Sequence, residues 1–212
     1  MRSSKVLEML NKGRIEELKA VLQDEVYMES LKKKPDVKKR YTAMKKYFTY
    51  VGSVREALQK PCLVDFQGKQ YTSFTNGYSL VLTKEDCGEM ELFDKDNLTY
   101  PDITRLIDFS GQEGKINFSK VFAEAKSKGY KLKKSEILNS HFLMHHDGAY
   151  YRLGLVDISF GIINDGEDAS VFYVPGEYRS KLTINNNLGV CVVMPVDINK
   201  APDDDFIIIE SN

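Results

Sequence analysis

A chain of 212 residues has room for one large domain or two of about 100 residues, each able to bury a core. With 42% hydrophobic and 29% charged residues it has the balance of a folded water-soluble protein, not that of a disordered or membrane-spanning one. The net charge of −1 is unevenly spread: residues 1–60 carry 15 Lys+Arg against 8 Asp+Glu, the remainder 15 against 23, an asymmetry that fits a basic arm meeting an acidic partner such as nucleic acid.

No apolar run approaches the roughly 20 residues of a transmembrane helix, and the opening MRSSKVLEML has no signal-peptide core. Cys62, Cys87 and Cys191 are far apart and odd in number, which points to a reducing, cytoplasmic compartment and no disulfide framework.

Residues 4–34 read as helix, broken at Gly13; Ile15, Leu18, Val21, Leu22 and Val26 recur on one face. Pro35 ends that run and Asp36 can cap the next helix, 36–50, whose stripe is Val37, Tyr41, Met44, Phe48 and Val51. Lys38, Lys39, Arg40, Lys45 and Lys46 lie mostly off the stripe, with Tyr47 and Tyr50 among them. Such interleaving suits phosphate contacts with base stacking, although a solvated helix has the same pattern.

Residues 62–66 and 70–74 read as strands turned over Gln67-Gly68. Asn76-Gly77 then predicts a type I′ turn into a third apolar run, 78–82. An acidic turn at 84–88, a strand at 90–93 and a polar loop follow. Tyr100-Pro101-Asp102 is by itself a helix-start or turn signal.

Glycine-rich residues 111–114 mark a domain boundary. Beyond it come a strand at 115–117, a helix at 118–128 with Gly129 at its C′ position, a strand at 137–145 and a turn at Asp147-Gly148. Residues 151–165, YRLGLVDISFGIIND, fit strand alternation and a helical face alike. Gly154 and Gly161 favour the strand. Strands at 169–174, 182–185 and 190–196 precede a tail with Asp203, Asp204 and Asp205 and an apolar run at 206–209.

Little here could be an active site. His141, His145, His146 and Asp147 would split between two faces of a strand, which suits zinc poorly. The acidic triplet could hold Mg²⁺ but reads better as a solvated tail, and neither a P-loop nor a Gly-x-Ser-x-Gly elbow is present. The chain is expected to be a binder, not an enzyme, with no metal or cofactor.

Three stretches carry a resemblance, the first of them in two pieces. Arg55-Glu56-Ala57-Leu58 is followed, two strands later, by Phe74-Thr75-Asn76-Gly77-Tyr78-Ser79-Leu80-Val81. Tyr100-Pro101-Asp102-Ile103-Thr104-Arg105-Leu106-Ile107 comes next, and Val190-Cys191-Val192-Val193-Met194-Pro195-Val196 last. In this order they are similar to segments in the second and third domains of the bacterial DNA sliding clamp, the β subunit of the replicative polymerase.

The resemblance covers residues 36–196. It departs in Asn76 for Asp, in Tyr78-Ser79 for His-Arg, and in the residues that continue beyond Val196. It implies an α+β, DNA-clamp-like fold with two domains of antiparallel sheets backed by helices. The expected division is an N-terminal helical extension (1–35), clamp-like domains at 36–110 and 111–200, and an acidic tail (201–212). It also favours the helix for residues 152–164.

Carried over, the clamp's pocket for short linear peptides of replication and repair proteins would be lined by Thr75, Gly77, Tyr78, Leu80, Pro101, Arg105, Leu106, Val192, Val193, Met194, Pro195 and Val196. The DNA-facing residues would be Lys38, Lys39, Lys45, Lys46, Lys120, Lys126, Lys128, Lys131 and Lys133, meeting phosphates of double-stranded DNA without reading sequence. Two domains per chain would need a homotrimer to complete a six-domain ring. The alternatives are a monomeric clamp-fold adaptor of phage or mobile-element origin that binds protein only, and a single-strand nucleic-acid binder using helix 36–50.

Overall fold

The structure, a computed structural model, describes residues 3–48, 58–96, 98–133, 137, 141–198 and 206–211. Its helices are α1 (Ser3–Asn11), α2 (Ile15–Ser30), α3 (Pro35–Tyr47), α4 (Phe118–Ser127) and α5 (Leu153–Ile163). The strands are β1 (Cys62–Phe66), β2 (Lys69–Thr75), β3 (Ser79–Thr83), β4 (Gln112–Ile116), β5 (Phe142–His146), β6 (Ala149–Arg152), β7 (Ala169–Tyr173), β8 (Leu182–Asn186), β9 (Gly189–Val193) and β10 (Ile207–Glu210). The class is α+β. No helix among the described residues is long and apolar enough to cross a membrane.

Local chemistry makes the hairpins. At Gln67-Gly68 and Asp147-Gly148 both central residues have positive φ, as a type I′ turn demands, and these turns join β1 to β2 and β5 to β6. The Asn76-Gly77 turn differs from expectation because only Gly77 has positive φ. Asn76 instead turns the chain with its side chain, Oδ1 accepting from the N–H groups of Tyr78 (3.0 Å) and Ser79 (2.8 Å).

Seven strands form one antiparallel sheet in the order β1-β2-β3-β9-β8-β7-β4, and β10-β5-β6 form a smaller one. The large sheet repeats a topology: α3 leads into the meander β1-β2-β3, α5 into β7-β8-β9, and the last strands of the two meanders pair with each other. Register there runs from Ser79 opposite Val193 to Thr83 opposite Gly189. The approach is tight, since a Cβ on Gly189 would lie 2.0 Å from the Leu82 carbonyl oxygen.

The domain division expected at 111–114 falls inside this sheet. β4 opens at Gln112 as its last strand, and β3 and β9, on either side of the proposed boundary, are ladder neighbours. Sequence periodicity sees each strand's neighbours along the chain and is blind to this long-range pairing.

Alternation along the strands divides two cores. Phe74, Val81, Cys191, Val193, Leu182, Ile184 and Val171 face the helices. Cys62, Val64, Leu80, Leu82, Val190 and Val192 face the opposite way, where Phe93 and Ile103 cover them. β3 and β9 are therefore buried on both faces, which is why they read as unbroken apolar runs. α5 is buried almost all round between the sheet and its flanking helices. Gly161 lets α3 approach it, with an added Cβ meeting Ala43 Cβ at 3.4 Å.

Helix at 153–163 agrees with the resemblance over the glycine argument; tertiary burial outweighs about 1 kcal/mol of propensity per glycine. Other expectations are corrected. Pro35 begins α3 at its first turn, where its missing N–H costs nothing. Residues 90–93 form no strand; Phe93 makes a single bridge to the Pro61 carbonyl (2.8 Å) and buries its ring. β9 stops at Val193, and the apolar run that follows the acidic triplet, for which no strand was expected, forms β10. Arg55, Glu56, Ala57 and Asp203–205 lie outside the described residues.

Candidate peptide and nucleic-acid interfaces

A buried polar network fixes the Asn76–Ser79 turn to the helices. The Tyr47 hydroxyl donates to the Ser79 carbonyl (2.8 Å), the Ser159 hydroxyl to Ser79 Oγ (3.0 Å), and Thr75 Oγ to the same Ser79 carbonyl (3.1 Å). Thus α3, α5, β2 and β3 meet at one serine. Burial pushes the Tyr47 phenol's pKa well above its ordinary value, so it stays a donor.

From this fixed turn the β3–β9 ladder continues one step, the Met194 N–H donating to the Tyr78 carbonyl at 3.0 Å. Leu80 pairs directly with Val192. Ile103 packs into the same outer-face cluster, and the Ser73 hydroxyl donates to Tyr100 Oη at 3.0 Å. Residues 74–81, 100–107 and 190–196, singled out in the sequence, are therefore neighbours in space.

They do not present every expected residue to a partner. Thr75, Leu80, Val192 and Val193 are buried, and Val193 belongs to the helix-side core. Tyr78 (55% exposed), Met194 (39%) and Leu106 (42%) are open, as are Gly77, Pro101 and Arg105, while Pro195 and Val196 are half-buried. Arg105 is held by Asp102, Nε to Oδ2 at 2.6 Å, and the Val196 N–H donates to the Tyr150 carbonyl at 2.7 Å. An accessible apolar rim around Tyr78 and Met194 thus sits on a packed floor of Leu80, Val192 and Ile103.

On the helix side a groove of about 1110 Å³ runs between α3 and α5. Lys38, Lys39 and Lys46 line it, joined by Lys32, Lys34 and Arg40, which the sequence reading left out of the set. Arg40 ties α3 down, donating to Glu85 Oε1 (2.7 Å) and to the Asn164 carbonyl (3.2 Å). Lys45 turns instead to Asp24.

α4 docks through Phe118, whose ring lies 4.4 Å from that of Phe160 on α5. This leaves Lys120, Lys126 and Lys128 exposed, with Lys131 and Lys133 following. Lys39 also pairs with Asp36 (3.2 Å) and Lys128 with Glu124 (2.7 Å).

The groove is not uniformly positive. Asp36, Asp157 and Asp165 share its lining. Burial raises the pKa of the Asp157 carboxyl, opposed by a hydrogen bond from the Tyr130 hydroxyl (3.0 Å) and by Lys126 and Lys46. Tyr47, expected among the lysines as a stacking surface, is fully buried, and so is Tyr41 but for 2%. Both rings belong to the core, so α3 offers lysines without those two aromatics.

Two histidines considered as metal ligands have other partners: His145 Nδ1 lies 2.8 Å from Glu210 Oε2, and His146 Nδ1 2.8 Å from Ser211 Oγ. No group of three or more potential metal-binding His, Cys, Asp or Glu side chains occurs among the described residues. No protein-family model, curated protein or solved structure matches the chain, and nothing in those comparisons identifies it as a sliding clamp.

Proposed function

We propose that this chain is a non-catalytic, sliding-clamp-like binding protein. Its helix face meets the phosphate backbone of duplex DNA, and the rim around Tyr78 and Met194 captures short linear peptides of replication or repair proteins. The observation that carries the reading is the meeting of the three clamp-like segments, joined by the Met194–Tyr78 hydrogen bond and the shared Leu80–Val192–Ile103 floor. The lysine-bearing helices on the opposite face of the sheet support the division of labour. Lys38, Lys39 and Lys46 take phosphates as point charges, and an exposed aromatic beside a methionine is an adaptable anchor for an apolar peptide side chain.

Anisotropy titration of a labelled 20-base-pair duplex tests the DNA half. Affinity should fall linearly on a log–log plot against salt, and the triple variant Lys38→Glu, Lys39→Glu, Lys46→Glu should bind at least tenfold more weakly with a shallower slope. Salt-independent binding, or an unchanged variant, contradicts this role.

The second reading, a monomeric adaptor that binds protein only, is favoured by the three aspartates within the groove and by the local partners of Lys39, Lys45 and Lys128. Light scattering with and without duplex separates the two. A DNA-dependent oligomer supports a ring, and a 24.2 kDa species indifferent to DNA supports the adaptor.

A further inference from the structure

The chain has three histidines, and all three serve one short strand. β10 pairs in parallel with β5, from Ile207 opposite Phe142 to Glu210 opposite His145, and forms the edge of its sheet. The Ile207 N–H donates to the His141 carbonyl (2.9 Å), and the Ser211 N–H (3.2 Å) and hydroxyl (2.8 Å) both donate to the His145 carbonyl. The His145 ring holds the Glu210 carboxylate, and the His146 ring holds the Ser211 hydroxyl.

Between these polar contacts a single side chain, Ile209, enters the main core completely, while Ile208 on the other face is 39% exposed. A hairpin cannot create a parallel pair, so β10 arrives from β9 in the large sheet through residues 194–206. Ile207 packs partly against the same core, and Lys128 of α4 donates to the Ile208 carbonyl at 3.4 Å. A strand held by one ladder, apolar side chains on one face, two imidazoles and one ammonium is built like a docked extended peptide.

We propose that the outer edge of β5 is a strand-acceptor site for an extended peptide of the pattern Ile-x-Ile-Glu-Ser, filled here by the chain's own β10 and open to the same strand of a second copy. The floor of the site is the Ile209 cavity, its direction is set by the parallel ladder, and its selectivity comes from His145 on the carboxylate and His146 on the hydroxyl. A second copy is the fitting donor because its 206–211 segment carries the same anchor and the same two polar groups in register, and exchange of an identical element needs no new interface. The site lies apart from the α3–α5 groove and from the Tyr78–Met194 rim, and it meets the expected DNA-facing set only at Lys128, whose ammonium donates to the Ile208 carbonyl at 3.4 Å.

The test uses the full chain with Ile209→Asp, which stops its own tail from seating and leaves the acceptor edge open. Unlabelled wild-type chain in tenfold excess is added to ¹⁵N-labelled variant. The expected result is saturable movement of the β5 amide and His146 ring signals to their wild-type positions, reproduced by a synthetic peptide of residues 206–211 and weakened about tenfold by Glu210→Gln in that peptide. A response to the peptide but not to wild-type chain overturns the second copy as donor; no response to either overturns the site. Should Ile209→Asp fail to fold, hydrogen exchange on the wild-type chain decides instead. Amides of Ile207 and Ser211 exchanging at least 100-fold faster than those of β9 support a detachable strand, and equal rates overturn it.

Discussion

Asn76 shows how one residue can look right for a simple reason and work for another. Asn-Gly between apolar runs signals a turn, and a turn forms, but Asn76 keeps φ negative and caps the N–H groups of Tyr78 and Ser79 with its own side chain. Its burial and the convergence of Tyr47 and Ser159 on Ser79 depend on helices far away in sequence, which no local pattern encodes. Removing the phenol with Tyr47→Phe takes one donor from the buried Ser79 carbonyl, so urea unfolding should show a loss of about 1–2 kcal/mol with an unchanged m-value; an unaltered midpoint contradicts the network.

His146 gives a pH signature. Burial lowers its pKa below the ordinary 6.5, with His145 lowering it further and Asp147 raising it. The unfolded chain then takes up a proton that the folded chain refuses. The stabilising contribution is whole above pH 6.5 and is lost as pH falls from there through the depressed folded value. Denaturation midpoints measured down from pH 7.5 should therefore decline less steeply in His146→Gln than in wild type. Parallel profiles would contradict this.

Among the elements, α4 and the first hairpin were legible because their signals are local. Gly129 closes α4 at φ 95°, and Gln67-Gly68 turns β1 into β2; Asn117, read as the end of a strand, instead caps α4 by accepting from the Lys120 N–H (2.9 Å). α5 was ambiguous by composition, because a helix buried on every side loses the polar stripe that distinguishes helix from strand. β10 went unread for a related reason: four residues beside an acidic triplet resemble a tail until the partner strand is known.

Gly161 makes the α3–α5 contact testable. Gly161→Ala adds a Cβ that fits at 3.4 Å from Ala43 and should be neutral or stabilising by up to about 1 kcal/mol. Gly161→Leu should destabilise by about 1–3 kcal/mol, because the longer side chain pushes against α3. Equal thermal midpoints for the two variants would show that the helices do not meet as described.

At the scale of the whole molecule, residues 74–81, 100–107 and 190–196, singled out in the sequence, are neighbours in the structure. Their scaffold was not legible: two meanders join through β3 and β9 into one sheet, helices take one face, and residues 93 and 103 cover part of the other. The joining strands are apolar throughout, so their sequences state that both faces are covered but not by what.

This two-faced arrangement is what the proposed function rests on: lysine-bearing helices on one face of the sheet, proposed to meet DNA, and an apolar rim on the other, proposed to meet peptides. Hydrogen exchange of the full chain, with and without a saturating 20-base-pair duplex at low salt, tests it most directly. The expected result is slowed exchange in α3 and α4, with residues 78–82, 100–107 and 190–196 unchanged. Protection confined to those three segments, or none anywhere, would contradict it.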